Sequence, residues 1–125
     1  MKSQRPYLIK ALIDWIVDNN CTPHIAVAVD VQGVQVPSDY VDDGKIVLNI
    51  SANSVRNFEI VDEVMSFDSR FNGSSFRVVV PTGAVVAIFA KESARGMAFE
   101  VETTDGFKIQ AEDSPLRGPS LKIVK

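Results

Sequence analysis

Apolar positions recur with helical spacing through the first segment. Tyr7, Leu8, Ala11, Leu12, Trp15 and Ile16 fall three, four and seven residues apart, the repeat of one helix face. Ile9, Ile13 and Val17 form a second apolar row, and only Lys10, Asp14 and Asp18 make a clearly polar one. Pro6 suits the first helical turn, where its missing N–H loses no bond. Ser3 is a candidate cap, and Arg5, nearer the boundary, caps poorly. Asn19 and Asn20 end the pattern and Pro23 closes it. The apolar arc is wider than one sheet face requires. Two readings stand side by side: a helix wedged deeply into its own domain, or a helix packed on a sheet and on a second subunit at once.

After Thr22 the period shortens to that of strands. His24 to Val31 is β-branched with alanines, and Val34 to Pro37 is a short extended piece behind Gly33. Asp42-Asp43-Gly44 marks a turn before a strand over Lys45 to Ile50. Val55 to Val61 alternates, which predicts Val55, Asn57 and Glu59 on one side and Arg56, Phe58 and Ile60 on the other. Glu63 to Phe71 alternates again, with Met65, Phe67, Ser69 and Phe71 on one face. Asn72-Gly73 is the strongest hairpin signal, since both residues tolerate positive φ. Phe76 to Val80 returns, Pro81 breaks the run, and Thr82-Gly83 opens a turn or one helical turn. Ala84 to Lys91 reads as a buried strand and Gly96 to Glu102 as a last short one. The expected fold class is mainly β: one helix, then about six to eight short strands in a small sandwich or partly open barrel.

From Thr103 onward the patterning weakens. Phe107, Ile109 and Ala111 alternate briefly, Glu112 to Ser120 has a linker composition, and the chain ends Leu121-Lys122-Ile123-Val124-Lys125. The expected organisation is therefore a folded domain over 1–111, a linker over 112–120 and a terminal segment over 121–125. That segment reads either as a frayed terminus or as a docking peptide on a tether.

Composition narrows the function classes. A chain of 125 residues, 46% hydrophobic and 23% charged, supports one domain with a core. The net charge of −3 argues against a nucleic-acid backbone as the main partner. The single cysteine, Cys21, cannot form an internal disulfide and fits a reducing, cytoplasmic compartment. No run approaches the roughly 20 apolar residues that span a bilayer, so no membrane association is expected. Asp14 and Asp18 interrupt the only segment that resembles a leader, and no signal peptide is expected.

Catalytic chemistry finds little purchase. Cys21 and His24 lie three apart across Pro23 without a third soft ligand, so no zinc site is expected. Asp39, Asp42, Asp43 and Gly44 lack the regular alternation and closing Glu of a calcium loop. Asp62, Glu63 and Asp68 are near each other, but turn carboxylates are usually solvated. No phosphate loop, dinucleotide fingerprint or nucleophile elbow is present. Neither a cofactor nor an enzymatic activity is expected. One hairpin concentrates Phe58, Met65, Phe67, Phe71 and Phe76 within nineteen residues. These side chains read either as core or as the walls of a groove for an extended peptide. Arg56, Arg70 and Arg77 stand where a groove rim meets an acidic guest side chain.

Ordered blocks along the chain resemble the stringent starvation protein B family. They are Arg5-Pro6-Tyr7-Leu8, Trp15, Asp18-Asn19, Thr22-Pro23-His24, Gly33 to Pro37, Tyr40, Asp43-Gly44 and Ile46 to Ile50. Phe67, Ser69-Arg70-Phe71, Gly73, Val80-Pro81, Ala87-Ile88, Ala90-Lys91-Glu92 and Met97 to Glu100 continue the series. The resemblance covers roughly residues 5 to 100. It implies an adaptor that binds the ssrA degradation tag and hands tagged polypeptides to the ClpXP protease. It implies a small Sm-like β-barrel or sandwich, and a homodimer joined through the N-terminal helix by Tyr7, Leu8, Ala11, Leu12 and Trp15. It places the tag-binding surface between Ser51 and Phe76, on Val55, Phe58, Met65, Phe67, Ser69, Arg70, Phe71 and Phe76. It implies docking on the ClpX zinc-binding domain by Leu121, Lys122, Ile123, Val124 and Lys125. Met65-Ser66 stands where relatives often carry a Val-Arg or similar pair, and Thr103 to Pro119 is shorter than the family's acidic tail. The family's association with ribosomes keeps an RNA-binding, ribosome-associated Sm-like protein as the alternative. Asp62, Glu63 and Asp68 among the aromatics count against it, because RNA readers interleave aromatics with cations.

Overall fold

The computed structural model describes residues 2–101. The element order is a helix, α1 (Arg5–Asp18), then β1 (Pro23–Ala28), β2 (Lys45–Asn49), β3 (Val55–Val61), β4 (Val64–Phe71), β5 (Ser74–Pro81), β6 (Val85–Ala90) and β7 (Gly96–Ala98). Single 3-10 turns stand at Ser38–Tyr40 and Thr82–Ala84. The first of these was not foreseen, and the second is one of the two forms, short turn or helical turn, expected after Pro81.

Helix α1 begins with Pro6 in its first turn, while the Ser3 hydroxyl accepts the Arg5 N–H at 3.1 Å. It ends on Asn20 in the left-handed region (φ 59°). The Cys21 N–H then returns to the Ile16 carbonyl at 3.1 Å and the Asn20 N–H to that of Val17 at 2.9 Å. This paired closure satisfies carbonyls that a helix end otherwise leaves open. The helix buries a narrow stripe: Ile9 and Ile16 fully, Leu12 and Ile13 in part. Tyr7, Ala11, Trp15 and Val17 stand exposed. The reading of a helix wedged into its own domain is therefore corrected, since one sheet face covers only one stripe.

The strands form two antiparallel sheets, one of order β2-β1-β6-β7 and one of order β3-β4-β5. Three two-residue turns hold both central residues at positive φ: Asp43-Gly44, Asp62-Glu63 and Asn72-Gly73. Such turns match the right-handed twist of the strands they join. A single bridge between Gln35 and Val79, with N–H to carbonyl bonds of 2.8 and 3.0 Å, ties the segment before β2 to β5. Strand β1 stops at Ala28, short of the expected Val31, and β7 is only three residues long. A Cβ on Gly96 would overlap the Ile88 carbonyl oxygen, so only glycine lets β7 lie against β6 here.

One core joins the sheets and the helix. Ile25, Val27, Ile46, Leu48, Val85 and Ile88 come from the first sheet, Met65, Phe67, Val78 and Val80 from the second, and Ile9 and Ile16 from α1. Strand β3 does not keep the alternation expected of it. Asn57 and Phe58 together oppose the single residue Phe67, with Arg56 against Asp68 before and Glu59 against Ser66 after. This is a β-bulge, with Asn57 in the left-handed region (φ 57°) that its short polar side chain tolerates. The extra residue switches faces mid-strand. Val55 before it and Phe58 and Ile60 after it therefore all turn toward the core. Among the described residues, no helix is long and apolar enough to cross a membrane.

Candidate functional site: an open cleft between two strand edges

Strands β2 and β3 follow each other in the chain yet do not pair. Each keeps one outer edge without a partner strand among the described residues. The link between them is a compact turn. Asn49 Oδ1 accepts the Ser51 N–H at 2.9 Å, and the Ser51 carbonyl accepts the N–H groups of Ser54 at 2.9 Å and Val55 at 3.2 Å. The Ser51 hydroxyl donates to that of Ser54 at 3.1 Å. Asparagine and serine suit such a turn because their side chains replace backbone partners.

A cleft of about 670 Å³ opens beside this turn. Val47, Leu48 and Asn49 of β2 form one wall, and Val55 and Arg56 of β3 with Asp68 to Phe71 of β4 form the other. Ala52 to Ser54 close one end, and Ser75 also lines it. The volume lies in the range of small-ligand and peptide pockets. Its lining mixes apolar side chains with hydroxyls, two amides, two guanidiniums and one carboxylate. That carboxylate is not a free acid. Asp68 Oδ2 accepts from Asn57 Nδ2 at 2.8 Å, and Oδ1 accepts from Arg77 at 3.3 Å. The Asn57 hydrogen bond first, and then Arg77, hold its carboxyl below the usual range.

The expected groove residues divide between two places. Val55, Ser69, Arg70 and Phe71 line the cleft. Met65 and Phe67 are fully buried, which corrects their placement as walls: their β4 positions face the first sheet and form the core beneath. Phe58 stacks on Phe67 with centroids 5.8 Å apart, and Phe76 meets Phe71 edge-on at 6.1 Å. Both are half-buried supports outside the cleft lining. Tyr40, in the 3-10 turn, also packs against Phe71, with ring centroids 5.0 Å apart. Sequence reasoning missed the β2 wall and singled out no residue of the 52–54 turn, although that turn lies within the expected Ser51 to Phe76 span, because no local pattern tells which strand ends face each other across a gap.

On the helix, Tyr7, Ala11 and Trp15 of the expected dimer interface are exposed, and Leu8 and Leu12 are half-buried. Cys21 and His24 do not form a pair: the thiol donates to the Asn19 carbonyl at 3.4 Å, and the imidazole lies against Phe89 at 5.8 Å. Residues 112–125, with the expected linker and docking segment, lie outside the described residues.

A helix and two sheets around one core, with a cleft bordered by two free strand edges, define a binding module. Among the described residues no group of three or more His, Cys, Asp or Glu could hold a metal. The family model for stringent starvation protein B matches residues 3–120. The chain is also 44% identical over 99 residues to the stringent starvation protein B homolog of Haemophilus influenzae. That match takes in 79% of this chain and 66% of the relative's length, just short of two thirds. The chain belongs to the stringent starvation protein B family.

Proposed function

We propose that this protein is an adaptor. It binds ssrA-tagged polypeptides in the cleft and delivers them to the ClpXP protease without doing chemistry itself. The observation that carries this reading is the cleft between the unpaired edges of β2 and β3, in a chain of this family. An extended peptide gains main-chain hydrogen bonds at a free edge, and side-chain pockets add selectivity. Val55, Ser69, Arg70 and Phe71 contact the tag, while Met65, Phe67, Phe58 and Phe76 hold the wall in shape. The two sheets act as a small Sm-like barrel left open at this gap.

Delivery is tethering. Residues 112–120 act as a linker and Leu121 to Lys125 dock on the ClpX zinc-binding domain, which raises the local concentration of substrate at the unfoldase. Two copies join through the exposed face of α1, so each dimer presents two clefts and two docking segments. The setting is the cytoplasm, where tagged translation products arise.

A fluorescent ssrA-type peptide titrated with the protein tests the cleft. Stoichiometric binding is expected, with a clear loss on Phe71→Ala. Removing Leu121 to Lys125 is expected to spare peptide binding and abolish accelerated degradation by ClpXP. Failure to bind the peptide, alongside strong salt-sensitive RNA binding, overturns the adaptor reading.

A further inference from the structure

The chain has six asparagines, at positions 19, 20, 49, 53, 57 and 72. The side-chain carbonyl carbon of an asparagine is within chemical reach of the backbone nitrogen that follows it. A hydrogen bond on that N–H holds the nitrogen in place and out of reaction. After four of the six, the next N–H is held. The N–H groups of Asn20, Cys21, Ile50 and Ser54 donate to the carbonyls of Val17, Ile16, Pro23 and Ser51, at 2.9, 3.1, 3.0 and 2.9 Å. Asn57 is restrained at its own side chain, which donates to Asp68 at 2.8 Å, and the bulky Phe58 follows it.

Asn72 differs on each count. It stands exposed with Gly73 at the β4–β5 turn, just beyond the last strand pair, Phe71 with Ser74. Among the described residues, neither the Asn72 side chain nor the Gly73 N–H has a hydrogen-bond partner. Glycine puts no side chain over the nitrogen. Chain neighbours apart, no atom lies within 4 Å of where a Cβ on Gly73 would stand. A hairpin tip of this kind opens locally while the core stays folded.

We propose that Asn72 is a self-modifying site, whose slow conversion to aspartate and isoaspartate reshapes the cleft beside it. The Gly73 nitrogen attacks Asn72 Cγ. A C–N bond forms, the nitrogen loses its proton, and the side-chain amide leaves as ammonia. Water then adds to one carbonyl of the cyclic imide and breaks that carbonyl's bond to the Gly73 nitrogen, which regains a proton. Opening at Cγ leaves aspartate on an unaltered main chain. Opening at the main-chain carbonyl leaves isoaspartate, which routes the main chain through Cβ and lengthens it by a methylene.

The two products act differently on the hairpin. Aspartate tolerates the left-handed backbone of residue 72 (φ 53°) and keeps the turn. Isoaspartate does not, because a two-residue turn matches the strand twist only at its own backbone length. The arms of this turn carry Arg70, Phe71 and Ser75 into the cleft lining, and Arg70 also donates to the Gly73 carbonyl at 3.4 Å. The effect on binding rests on the cleft being the peptide site, whereas the conversion itself does not.

The test is to hold the folded protein in mildly alkaline buffer, digest it, and read each asparagine by mass spectrometry, with a urea-unfolded sample alongside. The mass gain of an amide becoming an acid is expected at Asn72 in the folded sample, with an isoaspartate form resolved by chromatography. The other five asparagines are expected to stay unchanged. The aged protein is expected to lose affinity for the fluorescent tag peptide in proportion to its isoaspartate content. Asn72→Asp, freshly prepared, keeps the affinity. Asn72→Gly, which retains a two-residue turn of the same kind, loses none on ageing. Conversion in the unfolded sample alone, in neither sample, or equally at the other asparagines overturns the proposal. Conversion at Asn72 without any change in binding overturns its link to the cleft. If fresh protein binds no peptide, the adaptor reading and that link fall together, and the mass at residue 72 still decides the modification.

Discussion

Arg5 shows how little a residue's type says about its role. At a helix start it is a poor cap, and a charged side chain there belongs in solvent. In the fold it is buried. Its guanidinium donates to the carbonyls of Val85 at 2.9 Å and Glu100 at 2.6 Å, and lies over the Phe99 ring at 4.5 Å. One side chain thereby fastens α1, the start of β6 and the segment after β7. Replacing it by Met leaves the buried Val85 carbonyl without this donor. Arg5→Met is expected to lower stability by about 2–3 kcal/mol, read as a reduced urea midpoint. Arg5→Lys should recover only part of this, because an ammonium carries its donors on one nitrogen, whereas the two carbonyls are met by separate nitrogens of the planar guanidinium.

At the scale of elements, two small devices stand out, one that shapes the cleft wall and one that joins the ends of β1 and β6. The bulge at Asn57 turns β3 so that Val55 and Phe58 share the core side while Arg56 stays outward. The second device is a carboxylate latch. Glu92, after β6, accepts the backbone N–H of Thr22 at 2.8 Å and its hydroxyl at 2.7 Å, just ahead of β1. The hydroxyl bond first, and then the backbone bond, hold the Glu92 carboxyl below its ordinary range. Asp68 is lowered in the same direction. A carboxyl depressed in the folded state stabilises the fold fully above its unfolded value, about 3.9 for Asp and 4.3 for Glu. That contribution is lost as pH falls through the folded values, where the unfolded chain binds more protons. Urea midpoints are thus expected to be insensitive to these two groups near neutrality and to drop below about pH 4. Glu92→Gln should flatten that acid limb.

For the whole molecule, the unburied face of α1 is the conspicuous surface. Tyr7 is 62% exposed and Trp15 41%, large aromatic areas to leave in water. If two copies meet there, as proposed, a charge on that face separates them without disturbing the fold, since neither ring is in the core. Tyr7→Glu with Trp15→Glu is expected to shift the mass measured by light scattering from dimer to monomer. The circular dichroism and the peptide affinity per chain should stay unchanged. Unchanged mass would remove α1 from the interface.

Much of this molecule was legible in its residues. Pro6 and the Asn19-Asn20 pair bound the helix, Asn72-Gly73 fixes a hairpin, Asp43-Gly44 a turn before β2, and alternation from Met65 to Phe71 orients β4. These signals are local, because turns and periodicity depend on neighbours in the chain. Asp62-Glu63 closed another hairpin without glycine, and the bulge at Asn57 reversed a face that alternation alone had assigned. The cleft belongs to tertiary structure. Met65 and Phe67 became core and Arg56 remained at the surface only once two sheets met and left β2 and β3 apart, and no spacing within either strand encodes a gap between them.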